Sequence, residues 1–230
     1  MSDAPAPVSG PTPVMQTWMK ALTKPSEQTF VEIASSPNAK ASTAYLWVFV
    51  ASLVQLFLTS LVQSRLLGTY MQQAGLGDAF GNRGIASILI TAACGAPIAA
   101  AISTAFFAIG VFIVQWIAKM FGGRGTSDQL AYAMASITAP YAIVAGLLTL
   151  LAAIPYVGYC FSAILAIAGI YIFVLNVMAV KGVNQISWGA AIGSLLIPGL
   201  VVGFLCACLV GVSVAAILPA IRNAAPNLAP

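Results

Sequence analysis

The sequence predicts an all-α fold: a polytopic membrane bundle of five transmembrane helices, N-in and C-out, preceded by short amphipathic interfacial helices. Three observations predict it. The 230 residues are 60% hydrophobic and 6% charged, with a mean hydropathy of +0.99, which leaves too few ionisable groups to cover a water-facing globule. Five apolar runs, 42–62, 95–117, 130–153, 157–180 and 194–218, meet the length of roughly 20 residues that a spanning helix needs. Lys and Arg stand singly at the ends of these runs, so the net charge of +4 reads as membrane topology; a nucleic-acid binder would gather it into one basic stripe.

Taken in order, 1–13 is rich in Ala, Pro and Ser and reads as a disordered tail. It is not read as a secretory signal, because the first apolar run starts only near Ser42. Residues 14–41 form an amphipathic segment. Met15, Trp18, Met19 and Leu22 recur at helical spacing with Lys20 and Lys24 on the other side, Pro25 restarts the chain, and Phe30 and Ile33 give a second short turn before Pro37. Such helices suit either the headgroup layer or a protein surface. The spanning domain covers 42–219, and 220–230 reads as a short exposed tail.

Two runs exceed one span. Gly95 with Pro97 is expected to break 85–119, and Pro198 to break 187–218, each run then carrying a short interfacial or kinked leader before the spanning part. Arg65–Arg83, with Tyr70, Asp78 and Phe80, reads as a Gly-rich connecting loop. Ile154–Gly158, with Pro155, reads as a tight helical hairpin. Orientation follows from counting cations: Lys20, Lys24, Lys40, Lys119, Arg124 and Lys181 lie on the N-terminal side, against Arg65, Arg83 and Arg222 on the other.

The polar stretch Phe121–Pro140 organises the chain, because it returns the polypeptide to water between two spans. Thr126 is placed to cap the next helix, with Gln129 reaching back to its amide and Asp128 in the favourable first turn. Pro140 is expected to kink that helix and free a carbonyl on Ser136.

Signals for chemistry are sparse. There is no histidine, and no Asp, Glu, Lys or Arg lies inside a span away from its ends, which argues against proton relays, coupled transport and intramembrane proteolysis. Cys94, Cys160, Cys206 and Cys208 sit in apolar runs as small hydrophobes, and Cys206 and Cys208 point about 200° apart on a helix, unable to share a metal. No cofactor, metal or nucleic acid is expected. Gln55, Thr59, Gln115, Ser136, Thr138 and Asn176 are polar groups that seek partners on other helices, with Gln115 and Asn176 close enough to the headgroups to be satisfied there.

The most regular pattern is a ladder of small residues, Gly199, Gly203, Ala207, Gly211 and Ala215, with a second at Ala96, Ala100, Thr104 and Ala108 and a third begun by Gly189 and Gly193. Small residues let helix backbones approach closely, which drives association in lipid.

On these residues the chain resembles the Yip family, the Ypt/Rab-GTPase-interacting membrane proteins, and its bacterial branch in particular. The resemblance rests on Trp18, Leu22, Pro25, Phe30 and Ile33 ahead of the first span. It rests also on Gly122, Gly123, Arg124, Gly125, Tyr132, Ala139 and Pro140, similar to the family's Gly-Gly-Lys/Arg-Gly loop and its Tyr-containing helix ending in Ala-Pro. It implies five spans with a cytoplasmic N-terminus. The Asp-Leu-x-Gly-Pro motif that eukaryotic members carry, associated with GTPase partners, is absent here.

The expected function is a non-enzymatic scaffold or accessory protein of the cytoplasmic membrane, held in the lipid bilayer and binding other membrane proteins or itself through small-residue faces. The alternative is a channel or permease for a small neutral or lipid-like solute, lined by Thr59, Ser136, Thr138 and Tyr141, with broken helices at Pro97, Pro140 and Pro198.

Overall fold

The computed structural model describes residues 14–73, 85–152, 154, 158–201, 204, 207 and 208. In chain order they form α1 Val14–Thr23, α2 Glu27–Ala34, α3 Ala41–Gln73, α4 Ile85–Met120, α5 Ser127–Ala152 and α6 Gly158–Asn184, followed by α7 Trp188–Val201. No strand occurs among the described residues. Among the described residues, four stretches are long and apolar enough to cross a membrane: Ala41–Gln63, Ala92–Met120, Ser127–Leu151 and Ala163–Asn184. The outer faces carry bare Ile98, Phe106, Phe112, Ile167 and Ile170, a surface that only lipid can cover without large cost.

The fifth run, 194–218, is described only in its first part, within α7. The readings placed on 1–13, on Asp78 and Phe80, on Arg83, on Pro155 and on 220–230 lie outside the described residues.

α5 is the centre of the bundle and touches α1, α2, α3, α4 and α6. Its composition explains the position: Ala131, Ala133, Ala135, Ala139, Ala142 and Ala145 are all buried. Ala131, Ala135 and Ala139 repeat every four residues on one face. Gly146 completes the approach, since a Cβ there would lie 2.9 Å from the Cα of Gln55 on α3. Larger residues fill the same layer nearer the N-terminal end, where Phe30, Leu130, Tyr132, Ile137 and Leu175 are fully enclosed.

The structure differs from the sequence reading at the helix breakers. α4 runs unbroken through Gly95 and Pro97, and α7 through Pro198. Pro140, read as a kink and not a break, does lie inside a continuous α5 and is buried. A proline removes one helical hydrogen bond, whereas ending a helix in an apolar medium would strand several backbone groups at once, so the helix persists. The loop expected from Arg65 also begins later, because α3 extends to Gln73 and takes Tyr70 with it. Extending an existing helix needs no new nucleus, and Leu66–Gln73 holds only Gly68 as a poor former. At about 1.5 Å per residue, α3 and α4 are both longer than a hydrocarbon core of about 30 Å.

A Gly146→Ala substitution should overpack the α3–α5 contact and lower stability by about 1–3 kcal/mol. Gly110→Ala, where nothing lies within 4 Å of the added carbon, should be neutral or slightly stabilising. Thermal unfolding of both variants in mild detergent reads the contrast.

Candidate functional site

The chain's chemistry gathers at the end of the bundle where α1 and α2 sit. Here α4 stops, turns and passes into α5, while α6 stops beside it. The end of α4 is a Schellman motif: the Gly123 amide donates to the Ala118 carbonyl (2.9 Å) and the Gly122 amide to Lys119 (3.0 Å). Gly122 holds φ +85°, a conformation that side-chain-bearing residues rarely adopt.

The two later glycines answer a different constraint. A Cβ on Gly123 would lie 2.8 Å from both the Ala118 carbonyl and Asn184 Oδ1, and one on Gly125 would lie 2.7 Å from Val183 of α6. The turn is therefore pressed against the end of α6, and the Arg124 amide donates to the Asn184 carbonyl (3.1 Å).

A pair of buried amides locks this contact. Gln115 on α4 is 2% exposed and Asn184 on α6 is 0% exposed. Gln115 Nε2 donates to Asn184 Oδ1 (2.8 Å) and to the Gly125 carbonyl (2.7 Å), and Asn184 Nδ2 donates back to Gln115 Oε1 (3.2 Å) and to Val180 (3.2 Å). Gln115 is thus satisfied inside the protein, which corrects the expectation that headgroups would do so: its side chain points at α6 and not outward. Asn176 meets only half its needs, with Nδ2 on the Ile172 carbonyl (2.9 Å) and Oδ1 buried without a partner among the described residues. Sequence reasoning missed Asn184 altogether. The available signal was two amides at the same depth, Gln115 four residues before Lys119 and Asn184 three after Lys181.

The expected capping box is present. The Thr126 amide donates to Gln129 Oε1 (3.0 Å) and the Gln129 amide to Thr126 Oγ1 (3.3 Å), and Asp128 occupies the first turn of α5.

The N-terminal helices close over this end. α2 is capped by Ser26, whose hydroxyl accepts from the Thr29 amide (3.1 Å). Trp18, Trp47 and Tyr132 form a continuous aromatic run, with centroids 5.7 and 4.8 Å apart, and the Tyr132 hydroxyl shares hydrogen bonds with Thr17 and Ser36. Tyr171 donates from its hydroxyl to the Leu22 carbonyl (2.7 Å). Glu27 pairs with Lys181, and Lys20 with Glu32. Gly182 lets α2 come close, since a Cβ there would lie 2.9 Å from the Glu27 carbonyl. One face of α1 and α2 therefore packs on protein, while Val14, Met15 and Met19 remain exposed.

The small-residue ladders fall in different environments. Ala96 and Ala100 are buried and Ala108 half-buried, with Ala96 facing Leu53, Val54, Phe57 and Leu58 of α3 around an apolar groove of about 360 Å³. Ser52 and Ser103 hydroxyls meet at 3.4 Å in the same α3–α4 contact. Gly189 and Gly199 have nothing within 4 Å of an added carbon, and Ala207 is exposed. Gly203, Gly211 and Ala215 lie outside the described residues. Of the expected solute-path residues, Ser136 is buried and donates to the Ala133 carbonyl (2.7 Å).

The Yip1 domain model matches residues 19–210, from the middle of α1 past the described end of α7. The chain belongs to the Yip1 family. The matched region spans the capped end, the glycine turn and all four long apolar helices, so this Yip1 domain is a multi-pass membrane protein. No curated protein and no solved structure matches the chain. Arg124 is exposed between the two packed glycines.

Asn184→Leu or Gln115→Leu alone should destabilise this Yip1 domain by about 1–3 kcal/mol, because each strands a buried amide. The double variant should cost less than the sum of the two. A double-mutant cycle by thermal or urea unfolding in detergent measures that coupling.

Proposed function

We propose that this Yip1 domain is a non-enzymatic accessory or scaffold protein of the cytoplasmic membrane of a bacterium. It binds other membrane proteins, or a second copy of itself, through small-residue helix faces. The observation that carries the reading is the difference between the ladders. The one on α4 is used up inside the bundle, at Ala96 and Ala100, whereas Gly199, the described start of the ladder on α7, has nothing within 4 Å of an added carbon. Close backbone approach is what such a face offers to another helix.

The fifth span in this reading is α7 continued through Gly203, Gly211 and Ala215, which sets the N-terminus in the cytoplasm and the C-terminus outside. The charges support that orientation: Lys20, Lys24, Lys40, Lys119, Arg124 and Lys181 all belong to the capped end. The exposed Val14, Met15 and Met19 of α1 lie in the headgroup layer beside it.

Affinity purification in mild detergent with mass spectrometry should recover partner membrane proteins or a homo-oligomer, and Gly199→Leu with Gly203→Leu should deplete them severalfold. Recovery of the chain alone and monomeric would overturn the reading. Reporter fusions should report the N-terminus in the cytoplasm and the segment after Pro219 outside; the same side for both would remove the fifth span.

A further inference from the structure

The capped end carries more positive charge than its own acids can meet. Six cations stand there against Glu27, Glu32 and Asp128. Glu27 and Glu32 are taken by Lys181 and Lys20, and Asp128 sits at the dipole-stabilised start of α5. Lys119 and Arg124 form no ion pair among the described residues and both are exposed. They flank one turn whose backbone is fixed at both ends: Gly122 bonds back to Lys119, Arg124 bonds across to Asn184, and Gln115 holds the Gly125 carbonyl from below.

Beneath these cations runs an apolar ridge. Phe112, Trp116 and Met120 repeat every four residues along α4 and are 66%, 61% and 70% exposed. Trp116 is one turn from Lys119, on a neighbouring line of the helix surface. On the other flank, the Phe121 ring lies 3.9 Å from where a Gly193 side chain would begin, so α7 comes close to the turn there. Two exposed cations on a backbone-fixed turn, at the head of an apolar ridge, match one kind of amphiphile: an anionic headgroup above acyl chains. Because the ridge faces the bilayer, the anion that reaches these cations with its apolar part already seated is the headgroup of a lipid, whereas a soluble anion or acidic protein would engage the cations alone.

We propose that the α4–α5 turn is a binding site for an anionic glycerophospholipid. Lys119 and Arg124 hold its phosphate, Trp116 sits at the headgroup boundary, and its acyl chains lie along Phe112 and the ridge. The charge pairing is screened by salt while the acyl contact is not. Preorganisation by the Gln115–Asn184 pair leaves only side-chain order to be lost on binding.

The test is native mass spectrometry of the full chain in mild detergent, titrated with phosphatidylglycerol or phosphatidylcholine of identical acyl chains. The wild-type chain should retain phosphatidylglycerol preferentially. Lys119→Gln with Arg124→Gln should weaken that lipid roughly 30-fold at low salt, from about 1 kcal/mol per cation, and leave phosphatidylcholine unchanged. Lys24→Gln with Lys40→Gln, which keeps the turn, should retain most of the preference. Thermal unfolding of each variant checks that it is folded. Equal retention of the two lipids, an equal loss in the Lys24/Lys40 variant, or displacement by inorganic phosphate at comparable concentration would each overturn the proposal.

Discussion

Close backbone approach to α5 is the constraint on which the rest of the structure depends. Without a hydrophobic force between helices in lipid, packing must come from contact area at short range. An alanine face with a single glycine at Gln55 supplies it. Because α5 offers little side-chain volume, its neighbours can surround it, and the bulky residues are displaced to the outer faces and to the end nearest the N-terminus. The bundle is thus turned inside out relative to a soluble one: small residues at the axis, Phe and Ile at the rim.

The capped end solves a different problem. Helix termini leave backbone donors and acceptors unmet, and three termini converge there, the ends of α4 and α6 and the start of α5. The Schellman turn settles α4, the capping box settles α5, and Gln115 and Asn184 join the remaining edges. Each amide has both donor and acceptor engaged, so the low dielectric around them strengthens the pair where a half-met group would be costly. The glycines of the turn are needed for this: one by its dihedral angle, two because the end of α6 already occupies the space beside them.

Much of this was legible in the sequence. Span positions for α3 to α6 follow from apolar run length, and the start of α5 follows from Thr126, Gln129 and Asp128, because caps are local chemistry. Pro97 and Pro198 misled, since local propensity marks a breaker while the apolar medium forbids the break. The burial of Gln115 and the role of Asn184 were not legible, because 69 residues separate them and a lone amide near a helix end gives no sign of which way it points. The ladder of α5 was present at Ala131, Ala135 and Ala139 but hidden among other alanines. The side of α1 and α2 that meets protein could not be told from a lipid-facing one, since both surfaces ask for the same apolar stripe.

Tyr171 reaches Leu22 across 149 residues of chain, and that separation has a consequence for biogenesis. α1 and α2 leave the ribosome before α5 and α6, the helices they close over, have been made. At roughly 5–20 residues per second, Phe30 waits on the order of ten seconds before Gly182, against which it packs, exists. During that interval the segment is a free amphipathic strap, open to a chaperone or to the bilayer surface, and its docking is the event that marks a completed fold.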